Sequence, residues 1–248
     1  MHDSLMLPEM TQQWQNTLGW EPSATQQQQF QQLYALILEG NTRLNLTRIT
    51  QPEEFWEKHL WDSLRGIKGW LQADTLAKAI DIGTGAGFPG IPMALVLPQT
   101  QVTLLDSIRK RMAFLTSLLR EMGVKNATAV VGRAEAVGQL PQYRETYDLA
   151  LIRAVAAAPV CAEYALPLLK VGGKAVLYRG HWTSEEAEGL QLALQQLGGT
   201  IESVDAFTTP LTQGVRHCIY LHKEKPTPVE FPRAVGVPAS QPLGVSGG

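Results

Sequence analysis

Residues 78–98 read KAIDIGTGAGFPGIPMALVLP, and the four glycines between Gly83 and Gly90 separate a short apolar run from an apolar helical pattern. Glycine adopts positive φ and has no Cβ, so a bound molecule can approach the backbone closely at such a position. In an open parallel sheet, ligands bind outside the carboxyl ends of the strands. The stretch therefore predicts a strand, a ligand-binding loop and a helix N-terminus in that order.

Outward from this stretch, apolar strand-like segments alternate with helical patterns. After residues 78–83, the strand candidates are QVTLLDS (101–107), NATAVVG (126–132), YDLALIRA (147–154), GGKAVLYRG (172–180), TIESVDAFT (200–208) and RHCIYLHK (216–223). Near-continuous apolar strands separated by helices are typical of a parallel sheet covered on both faces. Only TPLTQGV joins the last two candidates, which predicts an antiparallel pair at that end. The sequence therefore predicts an α/β, Rossmann-like fold with a mostly parallel seven-stranded sheet whose last strand is antiparallel.

The chain divides into three predicted parts. Residues 1–75 form a helical extension, with one helix capped by Ser23 or Thr25 and a second helix that begins at Pro52. The first of these helices has apolar residues at the spacing of one helix face: Phe30, Leu33, Tyr34 and Ile37. Residues 76–224 form the sheet domain. Residues 225–248 contain five prolines, which predicts an irregular tail with a disordered end at GVSGG.

Composition excludes several classes of protein. The net charge is −2, from 21 basic and 23 acidic side chains, so a nucleic-acid partner has to be argued from a local basic patch. Cys161 and Cys218 are far apart and form no C-x-x-C pair, which excludes a zinc site of ordinary spacing and a disulfide scaffold. Neither a signal peptide nor a bilayer-spanning segment is visible. We expect a cytoplasmic monomer without a metal ion or a membrane partner.

Two cofactors are compatible with the glycine loop. Gly85, Gly87 and Gly90 satisfy the dinucleotide pattern G-x-G-x-x-G, which is weak evidence by itself. The alternative frame is D-x-G-x-G-x-G from Asp81 through Gly83 and Gly85 to Gly87, which suits S-adenosylmethionine. That cofactor has no phosphate and carries positive groups, so a carboxylate such as Asp81 is favourable beside it.

Acidic residues also follow the second and third strand candidates. Asp106 can accept both hydroxyls of a ribose, whichever cofactor is present. Glu135 can accept the adenine amino group, with the backbone of Ala134 and Glu135 beside the ring. Acids after three successive strands favour a methyltransferase that uses S-adenosylmethionine. A nucleotide-dependent oxidoreductase and a purely structural glycine turn stay open as alternatives.

Several blocks occur together and in one order: NLTRIT (45–50), KHLWDSL (58–64), IDIGTGAGFPGIP (80–92), TLLDSIRKRMAFL (103–115), IRAVA (152–156) and FPRAVGVP (231–238). In these blocks the chain closely resembles the bacterial RsmG (GidB) family of 16S ribosomal RNA guanine-N7 methyltransferases. The resemblance implies a class I methyltransferase with a helical extension, acting on a guanosine in the 16S rRNA of the small ribosomal subunit. The stretch PASQPL (238–243) departs from the family, whose tails often carry basic residues there.

The resemblance also assigns residues by position. It places at the cofactor Gly83, Phe88, Asp106, Ser107, Ile108, Ala134, Glu135 and Arg153. Guanine N7 has a lone pair and no proton to remove, so the reaction needs no general base, and placement of the two reactants supplies most of the catalysis. We expect Arg153 to be the catalytic residue, donating to the cofactor carboxylate or to guanine O6.

Local cations supply the candidate RNA contacts. Arg109, Lys110 and Arg111 begin a helix just after Asp106, where cations oppose the helix dipole, and an RNA phosphate nearby is a reason for them. Weaker candidates are His59, Arg179 and Arg233. Two alternatives remain: a ribosome-associated protein that keeps the fold without activity, and a small-molecule methyltransferase with a different acceptor.

Overall fold

The computed structural model describes residues 6–72 and 76–244. Its centre is a seven-stranded sheet of order β3-β2-β1-β4-β5-β7-β6. The strands are β1 (Lys78–Ile82), β2 (Gln101–Asp106), β3 (Ala127–Val131), β4 (Tyr147–Arg153), β5 (Leu169–Arg179), β6 (Gly199–Thr208) and β7 (Val215–Lys223). β7 alone runs opposite in direction to the other six strands, so the predicted fold class and the antiparallel end are confirmed.

Register brings the carboxyl ends of the first four strands to one edge of the sheet. Ile82 at the end of β1 pairs with Leu105 of β2 and with Ile152 of β4. Asp106 at the end of β2 pairs with Val131 of β3. The residues that follow these strands therefore lie side by side, which is the condition for a shared binding site.

Helices cover both faces of the sheet. They are α5 (Gly90–Val96), α6 (Arg109–Glu121), α7 (Ala134–Val137), α8 (Ala158–Ala165) and α9 (Ser184–Leu197). Strand β4 shows the two-sided burial: Leu149 and Leu151 pack into one apolar cluster, Ala150 and Ile152 into the other. Side chains alternate between the faces of a strand, so a strand buried on both faces is apolar throughout.

The N-terminal part consists of helices that share the core on one face of the sheet. They are α1 (Thr11–Leu18), α2 (Ala24–Leu44), α3 (Pro52–Phe55), a π-helical segment (Trp56–Trp61), α4 (Asp62–Arg65) and a 3₁₀ turn (Lys68–Trp70). Ser23 caps α2 in a capping box with Gln26, and the predicted apolar face of α2 is buried. The boundary predicted between residues 75 and 76 adjoins residues 73–75, which lie outside the described part, and the three-part division stays a prediction.

The π-helical segment replaces part of the continuous helix that the sequence predicts from Pro52. Two of its carbonyls accept hydrogen bonds from side chains. Arg153 donates to the Lys58 carbonyl at 2.8 Å, and the Ser63 hydroxyl donates to the carbonyl of His59. Such π segments are frequent at functional sites, and this one faces the carboxyl edge of the sheet.

The tail is irregular, as predicted, apart from α10 (Val237–Ser240), but it is closely packed. Phe231 is buried, and the Arg144 guanidinium donates to the carbonyls of Gly138, Thr227 and Phe231 at 2.7–3.2 Å. Of the end predicted to be disordered, GVSGG, residues 245–248 lie outside the described part of the chain. Among the described residues, no helix is long and apolar enough to span a bilayer, and no cluster of three metal-ligating side chains occurs.

Candidate cofactor and substrate site

A cavity of about 710 Å³ opens at the carboxyl edge of the sheet. Its walls come mainly from the segments after β1, β2, β3 and β4, with two residues from the helical extension and one from the tail. It brings together most of the predicted site residues: His59, Gly83, Gly85, Phe88, Asp106, Ser107, Ile108, Arg111, Ala134, Glu135 and Arg153. Asp81 and Gly87 were also predicted at the cofactor, but neither lines this cavity.

The glycines of the loop have different roles. Gly83, Gly85 and Gly87 all have positive φ, at 74°, 58° and 99°. A Cβ on Gly87 would lie 2.4 Å from the side chain of Ile91, so this glycine serves the packing of α5. A Cβ on Gly85 would meet only a carbonyl oxygen at 3.9 Å, so its open side faces the cavity. The loop therefore leaves room for a ligand at Gly85, while Gly87 belongs to the protein interior.

Asp81 lies beneath the loop and is fully buried. Its Oδ2 accepts hydrogen bonds from the Thr84 hydroxyl at 2.6 Å and from the Gly90 amide at 2.8 Å. Among the described residues its Oδ1 has no partner. Burial raises the pKa of Asp81 to about 6, against the lowering effect of those two hydrogen bonds. Asp81 shapes the loop from below, whereas the sequence predicted a direct contact with the cofactor.

Asp106 joins two loops at the cavity wall. Its Oδ2 accepts from the Gly85 amide at 3.0 Å, and its Oδ1 accepts from the Ile108 amide at 2.9 Å. Each carboxylate oxygen has a second lone pair, so this arrangement still leaves acceptor capacity for ligand hydroxyls. The position at the end of β2 is the one that the sequence predicted.

Glu135 has more protein partners than the sequence indicates. Arg133 binds its carboxylate through two hydrogen bonds of 2.7 and 3.2 Å. The Gly236 amide and the Tyr164 hydroxyl donate to the same oxygen, Oε1, at 3.0 and 3.4 Å. Burial raises the pKa of Glu135, but the hydrogen bonds outweigh burial and hold that pKa below its ordinary value. Sequence reasoning missed Arg133, Tyr164 and Gly236, of which only Arg133 lies next to the predicted site in the chain.

Arg153 is held by the helical extension. Its Nη1 donates to Asp62 Oδ2 at 2.9 Å and to the Lys58 carbonyl at 2.8 Å. Its guanidinium carbon lies 5.9 Å from the centre of the Phe88 ring. Arg153 is thus fixed in the cavity wall and is not a surface arginine. Asp62, which orients it, comes from the KHLWDSL block.

His59 is an interior residue of the same wall. Its ring stacks on Phe88 with 4.4 Å between centroids and 10° between planes, and its Nε2 lies 2.8 Å from the Thr47 hydroxyl. Burial lowers the pKa of His59 to about 3, and the charges of Arg153 and Lys58 add to this effect. The imidazole is therefore neutral at physiological pH, and any contact with RNA is not one of opposite charges.

The candidate cations differ in how far the protein already engages them. Arg109 and Lys110 are exposed and Arg111 is half-buried, and within the described residues none of them forms an ion pair. Arg179 pairs with Glu186 at 2.6 Å, and Arg233 pairs with the buried Glu163, also at 2.6 Å. The RNA contacts predicted for Arg179 and Arg233 stay predictions, and internal partners compete with them.

Comparison with known proteins gives consistent matches. A family model described as rRNA small subunit methyltransferase G (GidB) matches residues 26–218. The ribosomal RNA small subunit methyltransferase G of Trichormus variabilis is 60% identical over 242 residues, which cover 96% of this chain and 99% of that protein. The protein of the same name from Nostoc punctiforme is 58% identical over 241 residues, with 96% and 99% covered.

Among solved structures, cofactor-bound Rv0187 from MTB superposes with a TM-score of 0.54 and 21% identity. The match covers 78% of this chain and 90% of that one. At that identity the likeness is one of fold.

Proposed function

The chain belongs to the rRNA small subunit methyltransferase G family, and we propose that it transfers a methyl group from S-adenosylmethionine to N7 of a guanosine in 16S rRNA. The observation that carries the proposal is the cavity at the carboxyl edge of the sheet. There the glycine loop, Asp106 and Glu135 follow three adjacent strands and line one space. We further propose that the protein acts as a cytoplasmic monomer on the small ribosomal subunit.

The residues present fit S-adenosylmethionine. The cavity volume of about 710 Å³ lies within the range of about 300–1,000 Å³ that is usual for small-molecule sites. The missing Cβ of Gly85 leaves backbone accessible on the side that would hold the amino-acid part of the cofactor. Asp106 would hold the ribose hydroxyls, while Ile108 and Ala134 offer apolar surface for the adenine ring. When bound, S-adenosylmethionine supplies an electrophilic methyl group on a sulfonium.

The chain supplies placement rather than proton transfer. N7 of guanine is neutral and carries a lone pair, so no side chain has to remove a proton. The neutral His59 ring stacks on Phe88, and Phe88 packs beside Arg153 in the cavity wall. Arg153 is held in place by Asp62, so its charge enters the site at little further cost in side-chain entropy. Its roles would be to donate to guanine O6 or to the carboxylate of the cofactor.

The substrate side of the proposal depends on cations that form no ion pair within the described part of the chain. Arg111 lines the cavity, and Arg109 and Lys110 lie on the same first turn of α6 outside it. Cations at this end of a helix are unfavourable unless something compensates them. A phosphodiester backbone that delivers a base to the cavity would do so. The two alternative functions, methylation of a small molecule and a ribosome-associated role without activity, do not bring a phosphodiester backbone to the cavity. They would therefore leave these cations without such a partner.

The test is methylation mapping of 16S rRNA. A strain that lacks the gene should lose one chain cleavage at N7-methylguanosine after borohydride and aniline treatment. The wild-type gene should restore it, and Asp106→Ala, expressed at the same level, should restore it weakly or not at all. An identical cleavage pattern with and without the gene would refute the N7 assignment. Transfer of labelled methyl to small molecules but not to ribosomal subunits would favour the small-molecule alternative.

A further inference from the structure

The tail is anchored to the sheet domain well before it reaches the cavity. Thr227 donates from its buried hydroxyl to the Leu197 carbonyl at 2.9 Å, at the end of α9. Arg144 donates to three successive parts of the tail, at Thr227, Pro228 and Phe231. The path of the tail is therefore determined by specific contacts, and an irregular backbone here does not mean a loose one.

A buried charge pair continues this anchoring. Glu163 in α8 is completely buried, and Arg233 meets it with hydrogen bonds of 2.6–3.2 Å from both the guanidinium and the backbone amide. A buried carboxylate without a partner is strongly unfavourable, so Glu163 favours the docked position of Arg233. Arg233 also donates to the Gln241 carbonyl at 2.8 Å, which ties the far side of α10 to the same point.

Between these anchors the tail reaches the cavity. Gly236 has φ of 88°, and its amide donates to Glu135 Oε1 at 3.0 Å. Pro238 in α10 is buried and Ala239 lines the cavity next to the segment after β3. The tail thus contacts the site at two points: Gly236 binds the Glu135 carboxylate, and Ala239 forms part of the cavity wall.

From these contacts we infer that the tail completes the adenine end of the cofactor cavity, with Gly236 as a positioning residue that holds the Glu135 carboxylate and α10 as the wall. The inference rests on the proposed function, because the segment after β3 is the adenine side only if S-adenosylmethionine is bound. It assigns to residues 226–240 a role in cofactor affinity. If Arg233 and the PASQPL stretch served only to bind RNA, changing them would leave cofactor affinity unaltered.

The test exploits the positive φ of Gly236. Alanine is strained at positive φ, whereas asparagine adopts it more readily. A Cβ at Gly236 would meet nothing within 4 Å, so strain in the backbone and not a clash is what Gly236→Ala introduces. Gly123, at the end of α6, also has positive φ and space for a Cβ, so Gly123→Ala is a matched control away from the cavity.

The measurements are dissociation constants by calorimetry for S-adenosylhomocysteine and for adenosine alone, with thermal midpoints for each variant. Gly236→Ala should weaken both ligands by the same factor, about tenfold, which is the scale of one hydrogen bond to a charged group. Gly236→Asn should restore the wild-type values. Gly123→Ala should lower the thermal midpoint without changing either dissociation constant.

Two results overturn the inference. One is wild-type affinity in Gly236→Ala, which would make the tail a structural element only. The other is a loss for S-adenosylhomocysteine that adenosine does not share, which would place the tail at the wrong end of the cofactor. In both cases the proposed function stands as long as wild-type protein binds S-adenosylhomocysteine and Asp106→Ala binds it more weakly. If the wild-type protein binds neither ligand, the proposed function fails as well.

Discussion

Replacing Asp81 by asparagine tests the effect of its charge, because the two side chains have nearly the same size and shape. Asp81 Oδ2 accepts both hydrogen bonds, from Thr84 and from Gly90, while Oδ1 has no partner among the described residues. An asparagine oxygen can keep both hydrogen bonds, and its amide would take the place of Oδ1. The variant therefore preserves both hydrogen bonds of the loop and removes the ionisation of a fully buried carboxyl group. Its amide hydrogens lack a partner among the described residues, which adds a cost that does not change with pH.

The size and sign of the effect follow from the pKa. Burial raises the pKa of Asp81 from 3.8 to about 6 in the folded protein. Between about pH 4 and pH 6 the folded state holds more protons than the unfolded chain, so stability falls as the pH rises through this window. Above about pH 6 the carboxyl group is ionised in the folded protein, and the full loss of stability persists. A change from 3.8 to about 6 corresponds to about 3 kcal/mol in the free energy of unfolding.

The assay is urea unfolding of wild type and Asp81→Asn at several values between about pH 4.5 and 7.5. We expect the stability of the variant relative to wild type to increase by about 2 kcal/mol across this range, because about 1 kcal/mol of the penalty is already present at about pH 4.5. Asp148→Asn is a control whose difference from wild type should stay nearly constant over this range. Hydrogen bonds from Lys170 and the Lys78 amide outweigh burial there and hold the pKa of Asp148 below its ordinary value of 3.8, so its contribution to stability is lost only as the pH falls below about 4. A difference between Asp81→Asn and wild type that does not change with pH would refute the reasoning.

Three further predictions concern the reaction. Asp106→Ala should weaken S-adenosylmethionine binding by roughly 1.5–3 kcal/mol in calorimetry, and an unchanged dissociation constant would exclude Asp106 from the site. The single-turnover rate should be nearly independent of pH between about pH 7 and 9, because N7 has no proton to lose and His59, with a pKa of about 3, stays neutral. A slope near one in a plot of log rate against pH would indicate a different acceptor. Replacing both Arg109 and Lys110 by alanine should leave S-adenosylmethionine affinity unchanged. It should reduce the slope of log RNA affinity against log salt concentration by about 0.7–0.9 for each phosphate that the variant no longer neutralises. An unaltered slope would show that both side chains are ordinary solvated cations.

The fold was predictable because its signals are local. Each strand candidate is a short apolar run, and burial on both faces requires such runs. The short link at residues 209–215 is enough to predict an antiparallel pair, and it joins β6 to β7 as expected. The capping box at Ser23 is likewise a pattern of adjacent residues. Hydrophobic periodicity does not distinguish a π-helical turn from an α-helical one, so the segment Trp56–Trp61 could not be predicted.

The site was predictable only where strand ends determine position. Asp106 ends β2 and Glu135 follows the adjacent parallel strand β3, so sequence order alone brings them to one edge. Asp81 also lies near the end of such a strand, but a pattern of acid and glycines does not show whether the carboxyl group faces the ligand or the interior. The partners Gly236 and Glu163 come from distant parts of the chain, and no local pattern pairs Glu163 with a residue 70 positions later.

The completed cavity requires both ends of the described chain. Leu46 and His59 come from the helical extension and Ala239 from the tail, while the sheet domain provides the rest. Each end is docked by a buried carboxylate: Glu57 accepts from the Thr212 hydroxyl at 2.6 Å, and Glu163 binds Arg233. A buried charge tolerates few alternative positions of its partner, which favours one docked arrangement over looser ones. A ligand that touches all three parts binds only that arrangement and must stabilise it by mass action. We therefore expect cofactor binding and the docking of the two ends to be linked, so that loosening either end should lower cofactor affinity without any change at the glycine loop.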